Sequence, residues 1–110
     1  APGRTELGGN HTDHNNGVVL AAGVNLDTLA AVSLNDGNKV VVYSDQCGDE
    51  PITVDLNDLE MKKKEQGTLA SFVRGIAKYL SNNRWDIGGL NAVITSNIPF
   101  GAGLSSSASV

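Results

Sequence analysis

The stretch Pro99-Phe100-Gly101-Ala102-Gly103-Leu104-Ser105-Ser106-Ser107-Ala108-Ser109 gathers the residue types that hold phosphate. Two glycines two positions apart let a backbone come close to an anion with no Cβ in the way. The serines after them can cap a helix start, donate to phosphate oxygens, or ligate Mg²⁺ through oxygen. A helix beginning near Ser105 would add N–H groups and the positive end of its dipole, which together favour an anion. Gly101, Gly103, Ser105, Ser106 and Ser107 are therefore the candidate phosphate-binding residues, in what is a nucleoside-triphosphate loop in outline. Two better-known patterns fail here. No lysine follows the last glycine, as a Walker A loop requires, and Ser106 stands where a dinucleotide fingerprint has its third glycine.

Residues 1–17, APGRTELGGNHTDHNNG, form a second constellation with Arg4, Glu6, Asn10, His11, Asp13, His14 and Asn15. Carboxylates accept from sugar hydroxyls, Arg and Asn donate, and His can do either, so the set suits a polyhydroxylated ligand. So much hydrogen-bonding capacity just ahead of a buried strand needs partners. Other readings of the stretch stay open beside this one. It is also compatible with a plain polar turn. His11-Thr12-Asp13-His14 would make a metal cluster that lacks a third ligand group of similar quality. Asn10-His11-Thr12 fits the glycosylation pattern, which needs a secretory route to matter.

The elements that must position these residues are readable from periodicity. Val18 to Val24 is an apolar run with the character of a buried strand, and Thr28 to Leu34 is a second. Asn35-Asp36-Gly37-Asn38 has hairpin-turn residues that tolerate positive φ, which predicts Lys39 to Ser44 as the returning partner strand. Ile52 to Leu56 alternates as an edge strand should. Over Gly67 to Asn82 the period changes. Leu69, Phe72, Val73, Ile76, Ala77 and Leu80 follow helical spacing, with Thr68 as N-cap and Ser81-Asn82-Asn83 as the stop. Leu90 to Ile98 returns to an apolar strand that delivers the chain to the glycine corner. Strands, a helix, a strand and a helix start make an α+β chain with a mixed or mostly antiparallel sheet packed on helices.

One hundred and ten residues suffice for one small domain, and no apolar run approaches the length of a membrane span. The opening Ala-Pro-Gly-Arg has no basic-then-apolar leader, so no signal peptide is expected. Cys47, the single cysteine, cannot form an intrachain disulfide and suits a reducing cytoplasm. The net charge of −4 argues against a general nucleic-acid surface. Lys62-Lys63-Lys64, flanked by Glu60 and Glu65, reads as a solvated face or loop. A helix starting near Ser105 would reach only about one and a half turns by Val110, too short to stand alone, so the chain reads as the front portion of a larger protein.

Taken as a pair, Gly3-Arg4-Thr5-Glu6-Leu7-Gly8-Gly9-Asn10-His11-Thr12-Asp13-His14-Asn15 and the later Pro99-to-Ser109 segment resemble the galactokinases of the GHMP small-molecule kinase family. The serine loop is shared across that family, while His-Thr-Asp followed by Asn15 is the part typical of galactokinases. Phe72-Val73-Arg74-Gly75-Ile76 is also of the family's type, so the resemblance covers essentially the whole chain. It implies phosphoryl transfer from ATP, with Mg²⁺, to the anomeric hydroxyl of galactose. It implies a two-domain fold with the active site between the domains, of which residues 1–110 are an incomplete first domain. By the same resemblance Arg4 sits beside the reacting hydroxyl and the γ-phosphate, and Asn10, His11 and Asp13 face sugar hydroxyls. Gly101, Gly103, Ser105, Ser106 and Ser107 wrap the phosphates, with Ser107 the Mg²⁺ ligand.

The chain departs from the family pattern at four places in the first segment. Glu6 replaces an Asn, Gly8 an Ile, His14 a Tyr, and Asn10 the sugar-binding Glu. An amide accepts a hydrogen bond but carries no charge, so Asn10 bears on which sugar is held more than on the transfer chemistry. Leu69 lies about where family members often carry an aromatic that stacks on adenine. The family's catalytic Asp and its Glu ligand for Mg²⁺ both follow the serine loop, so residues 1–110 alone are expected to be inactive. Three alternatives accompany this reading: a galactokinase-like sensor that binds sugar and ATP without turnover, a family kinase for another substrate, and a Gly/Ser turn on an unrelated α+β domain.

Overall fold

The computed structural model describes residues 1–9, 12–99, 101–104 and 109, with Asp13 described by its backbone alone. Its strands are β1 (Pro2–Gly8), β2 (Leu20–Leu34), β3 (Lys39–Ser44), β4 (Ile52–Asp55) and β5 (Leu90–Ser96), and its helix is α1 (Leu69–Asn82). Short 3-10 turns occupy Asp13–Asn15 and Lys63–Glu65. Hydrogen bonding orders the strands β1-β2-β5-β3-β4. β3 runs antiparallel to β4 and parallel to β5, so the sheet is mixed and the α+β expectation holds. The chain divides into two compact units, Ala1–Leu29 with Thr95–Val110, and Ala30–Ile94. No helix among the described residues is long and apolar enough to cross a membrane.

In the Ala30–Ile94 unit the core follows from strand alternation. Val40 and Val42 of β3, Val54 of β4 and Ala92 of β5 are buried together, with Leu69 and Val73 of α1 packed against them. The start of α1 is as its sequence predicts. Thr68 is extended (φ −104°, ψ 163°), and its hydroxyl accepts from Ser71 N at 3.4 Å, satisfying one of the donors a helix start leaves over. The buried stripe is narrower than the helical spacing predicts. Ala77 is buried, but Phe72 and Ile76 are each 47% exposed. β4 ends the strand order, as its alternation predicts.

Two strand assignments made from sequence are corrected. Residues 18–24 and 28–34 are not two strands; one strand runs from Leu20 to Leu34. Asn25 and Asp27 read as an interruption, yet they fall on the exposed positions of an unbroken two-residue alternation in which Ala22, Val24, Leu26 and Thr28 turn inward. Nor do residues 35–38 close a β2–β3 hairpin. None of them has positive φ, which the tight hairpin turns require, and β5 lies between β2 and β3. The entry to β5 fills the turn instead: Asn35 N donates to Gly89 O at 3.0 Å and Gly89 N to Gly37 O at 3.1 Å. A Cβ on Gly89 would collide with Asn35 Oδ1 and Gly37 O.

α1 itself carries a residue whose burial the apolar helical period does not reveal. Arg74 is only 4% exposed, and its guanidinium grips Glu65 with both arms, Nε to Oε2 at 2.7 Å and Nη2 to Oε1 at 2.8 Å. Nη1 donates to the Asp58 carbonyl, so the fork ties α1 to both ends of the preceding loop. This bond holds the Glu65 carboxyl below the usual carboxylate range. A folded-state pKa below the unfolded one contributes stability at neutral pH that is lost as pH falls through the folded value. Glu65→Gln should therefore lower the thermal stability at pH 7. The gap to the unaltered protein should close on acidification below about pH 4.3, the ordinary glutamate value. Thermal unfolding across that range checks it, and a gap independent of pH would mean that the pair contributes nothing through charge.

Candidate functional site

The first strand and the glycine corner meet in the unit that holds both chain ends. Arg4 N donates to Leu104 O at 3.0 Å, a backbone bond between the two segments that sequence singles out. The approach is eased because Gly3 is buried without a side chain. A Cβ there would stand 3.0 Å from Val24 Cγ2, 3.1 Å from Leu104 O and 3.3 Å from Ile98 Cδ1. β1 is otherwise held by an antiparallel ladder to β2, with Arg4 opposite Gly23 and Glu6 opposite Ala21. Register shifts fall on both sides of that stretch, between Pro2 and Arg4 and between Glu6 and Gly8. The Arg4 side chain is half-buried, with its Nε shielded from solvent, and Glu6 Oε2 is similarly shielded. A cation in that setting acts with less screening than a surface one.

Gly101 and Gly103 adopt φ of +70° and +69°, the left-handed region that other L-residues enter at a cost. Among the described residues a Cβ at either position would meet nothing within 4 Å, so the backbone conformation is the reason for glycine that the described structure gives. The strand feeding the corner is fastened first. Ile98 is fully buried, Asn97 N donates to Asp27 O at 3.1 Å, and Asp27 N donates to Asn97 Oδ1 at 2.7 Å. Past the corner, Ser109 is helical. The predicted phosphate ligands Ser105, Ser106 and Ser107, with the predicted helix start, lie outside the described residues.

Of the predicted sugar-facing residues, Asn10 and His11 also lie outside the described residues. Asp13 opens the 3-10 turn Asp13–Asn15. Thr12 organises that turn: its carbonyl accepts from Asn15 N at 3.0 Å and Gly17 N at 2.7 Å, and its hydroxyl donates to Gly9 O at 2.7 Å. Sequence reasoning passed over Thr12, although threonine is a residue that hydrogen-bonds its own neighbouring backbone in turns. It also passed over Thr28 and Asn97, for which no local signal exists because their partners are distant in sequence. Leu69, at the expected adenine-stacking position, packs against the Val40–Val42–Val54–Ala92 core.

The galactokinase galactose-binding signature matches residues 1–34, and the GHMP kinases N terminal domain matches residues 71–110. The crystal structure of Lactococcus lactis galactokinase complexed with galactose is similar over 99% of this chain, with 35% sequence identity and a TM-score of 0.86. The chain belongs to the GHMP kinases, on their galactokinase branch. It spans 28% of the length of the Lactococcus enzyme. Two more distant structures share the fold. The Methanococcus jannaschii mevalonate kinase has a TM-score of 0.74 at 19% identity, over 98% of this chain and 34% of that one. A D-glycero-D-manno-heptose 1-phosphate kinase from Bacteriodes thetaiotaomicron has a TM-score of 0.69 at 18% identity, over 94% of this chain and 35% of that one.

The positive φ of Gly101, with no described atom within 4 Å of an added Cβ, allows a test of why the chain has glycine there. Gly101→Ala should cost about 1–2 kcal/mol from the left-handed backbone alone, and Gly101→Asn should cost less, because asparagine visits that region more readily. Denaturant unfolding of both variants checks the order. Equal losses would point to a steric requirement in place of a backbone one.

Proposed function

We propose that this chain supplies the sugar- and phosphate-binding segments of a galactokinase, which transfers the γ-phosphate of ATP to the anomeric hydroxyl of galactose. The observation that carries the reading is the 3.0 Å bond from Arg4 N to Leu104 O, which draws the galactose-signature strand against the glycine corner. A kinase needs just such a juxtaposition, since its work is to hold two substrates in line and to balance the charge that moves between them.

In this reading Asn10, His11 and Asp13 bind the sugar hydroxyls. Gly101, Gly103, Ser105, Ser106 and Ser107 hold the phosphates of ATP, the positive φ of the glycines turning backbone toward them. No described atom lies within 4 Å of a Cβ built at Gly101 or Gly103, which is compatible with such a group there. Ser107 would be a ligand for Mg²⁺, which would supply charge neutralisation at the phosphates. Arg4 is the residue that acts on the reacting atoms: its half-buried guanidinium offsets charge that develops as the phosphoryl group leaves ADP for the sugar oxygen.

The direct test is ATP-dependent phosphorylation of galactose by the full-length protein, followed by ADP release. No turnover with any hexose would refute the proposal. Within an active enzyme, Arg4→Ala should lower kcat by ~3 kcal/mol in barrier terms, on the order of a hundredfold, with little change in KM for ATP. A raised KM at constant kcat would show that Arg4 only binds.

A second reading, that the sugar is not galactose, is favoured by Asn10, where galactokinases carry a glutamate. If galactose is the substrate, Asn10→Glu should lower its KM roughly fivefold, a charged acceptor exceeding a neutral one by ~1 kcal/mol. If another hexose is preferred, the same change should impair that sugar by leaving a carboxylate poorly paired. kcat/KM over a panel of hexoses separates the two. A panel unaltered by the substitution would mean that position 10 does not face the sugar.

A further inference from the structure

Inside the unit formed by Ala1–Leu29 and Thr95–Val110, one buried hydroxyl touches both arms of the glycine and serine segment. Thr28 is 4% exposed, on the inward side of β2. Its Oγ1 lies 2.9 Å from Ser96 Oγ and 2.9 Å from Ser109 Oγ. Ser96 is the last residue of β5, ahead of the glycine corner, and Ser109 is helical beyond it. The same strand holds the entry a second time, through the paired bonds of Asp27 and Asn97. Ser96 Oγ also accepts from Ile98 N at 3.3 Å, which places it in the turn that carries the chain off the sheet.

We propose that Thr28 is a positioning residue for nucleotide binding: its hydroxyl clamps the entry and the exit of the phosphate-binding segment to β2. The chemistry favours this over simple packing. A hydroxyl has one donor and two acceptor sites, so a single threonine can serve two serines at once, and valine of the same shape serves neither. Thr28 is buried and the two serines are half-buried, and hydroxyls joined in such a setting polarise one another and resist separation. Ser96 and Ser109 then meet at one atom, and a segment whose two flanks are joined in this way has less conformational freedom to lose when a triphosphate binds. The galactose segment has a fastening of its own in the Thr12 turn, and its bonds to Thr28 and Leu104 are made by backbone atoms that a Thr28 side-chain change leaves in place.

The inference rests on the reading of residues 99–109 as the phosphate loop. The test is steady-state kinetics of the full-length enzyme with Thr28→Val, Thr28→Ser and Ser109→Ala, alongside thermal unfolding. Thr28→Val should raise KM for ATP roughly tenfold, the equivalent of one or two buried hydrogen bonds, with KM for galactose within about twofold. Thr28→Ser, which keeps the hydroxyl, should restore the nucleotide KM to near that of the unaltered enzyme. Ser109→Ala should raise KM for ATP in the same direction and by less. A purely structural threonine would lower the melting temperature and leave both KM values alone, which would overturn the clamp. Should Thr28→Val not fold, an unchanged KM for ATP in Ser109→Ala overturns it equally, and a raised one sustains it. An unaltered enzyme that shows no ATP-dependent turnover overturns the kinase reading and this inference with it; an active enzyme indifferent to the substitutions overturns this inference alone.

Discussion

One backbone hydrogen bond, from Arg4 N–H to Leu104 C=O, closes the chain on itself, and the candidate site depends on it. It requires the main chains of two segments to come within 3.0 Å, an approach that the lack of a side chain at position 3 eases. Around Gly3 the nearest atoms are Val24 Cγ2, Leu104 O and Ile98 Cδ1, all inside the reach of an added methyl group. The entropic cost of joining residues so far apart in sequence grows only slowly with the length of the loop. It is shared with the β1–β2 ladder and with the burial of Ile98, so the bond need not supply the closure alone.

β2 is the element on which this unit is assembled. It pairs with β1 along one side, and through Asp27 and Thr28 it fastens Ser96, Asn97 and Ser109. The contacts are polar where a core would ordinarily be apolar. A buried polar network is costly if half satisfied and specific if complete, because each hydroxyl accepts few geometries. The segment it holds must carry two left-handed glycines and still present a defined backbone, and directional bonds are suited to that demand. In the Ala30–Ile94 unit the balance is reversed. Valines of β3 and β4 with Ala92 make a small dry core, and the one buried cation, Arg74, is fully engaged by Glu65 and the Asp58 carbonyl.

Local chemistry was legible from the sequence wherever a signal and its consequence lie within a few residues. The N-cap of α1, the alternation of β4 and the flexible corner at Gly101 and Gly103 are of this kind, since capping, pleat and positive φ are properties of short segments. The readings that failed did so because a distant strand intervened. Asn35 to Asn38 has the composition of a hairpin turn, but β5 enters beside β3 and Gly89 takes the backbone groups that a hairpin would have used. β1 was missed because its polar residues read as a turn, while its partner strand begins a dozen residues later and supplies the ladder that local composition does not contain.

The sequence by itself therefore determined the kind of chemistry: glycines and serines that can cradle phosphate, and a cluster of Arg, His, Asp and Asn suited to hydroxyls. It determined the family too, because both motifs occur in order in one chain. Tertiary structure alone decided which residues meet. Arg4 reaches Leu104, and Thr28 reaches Ser96 and Ser109, across separations that no periodicity encodes. The reason is physical: residue types and local backbone preferences are intrinsic to a short segment, whereas close approach depends on what every neighbouring segment leaves unfilled, as Gly3 does for Leu104.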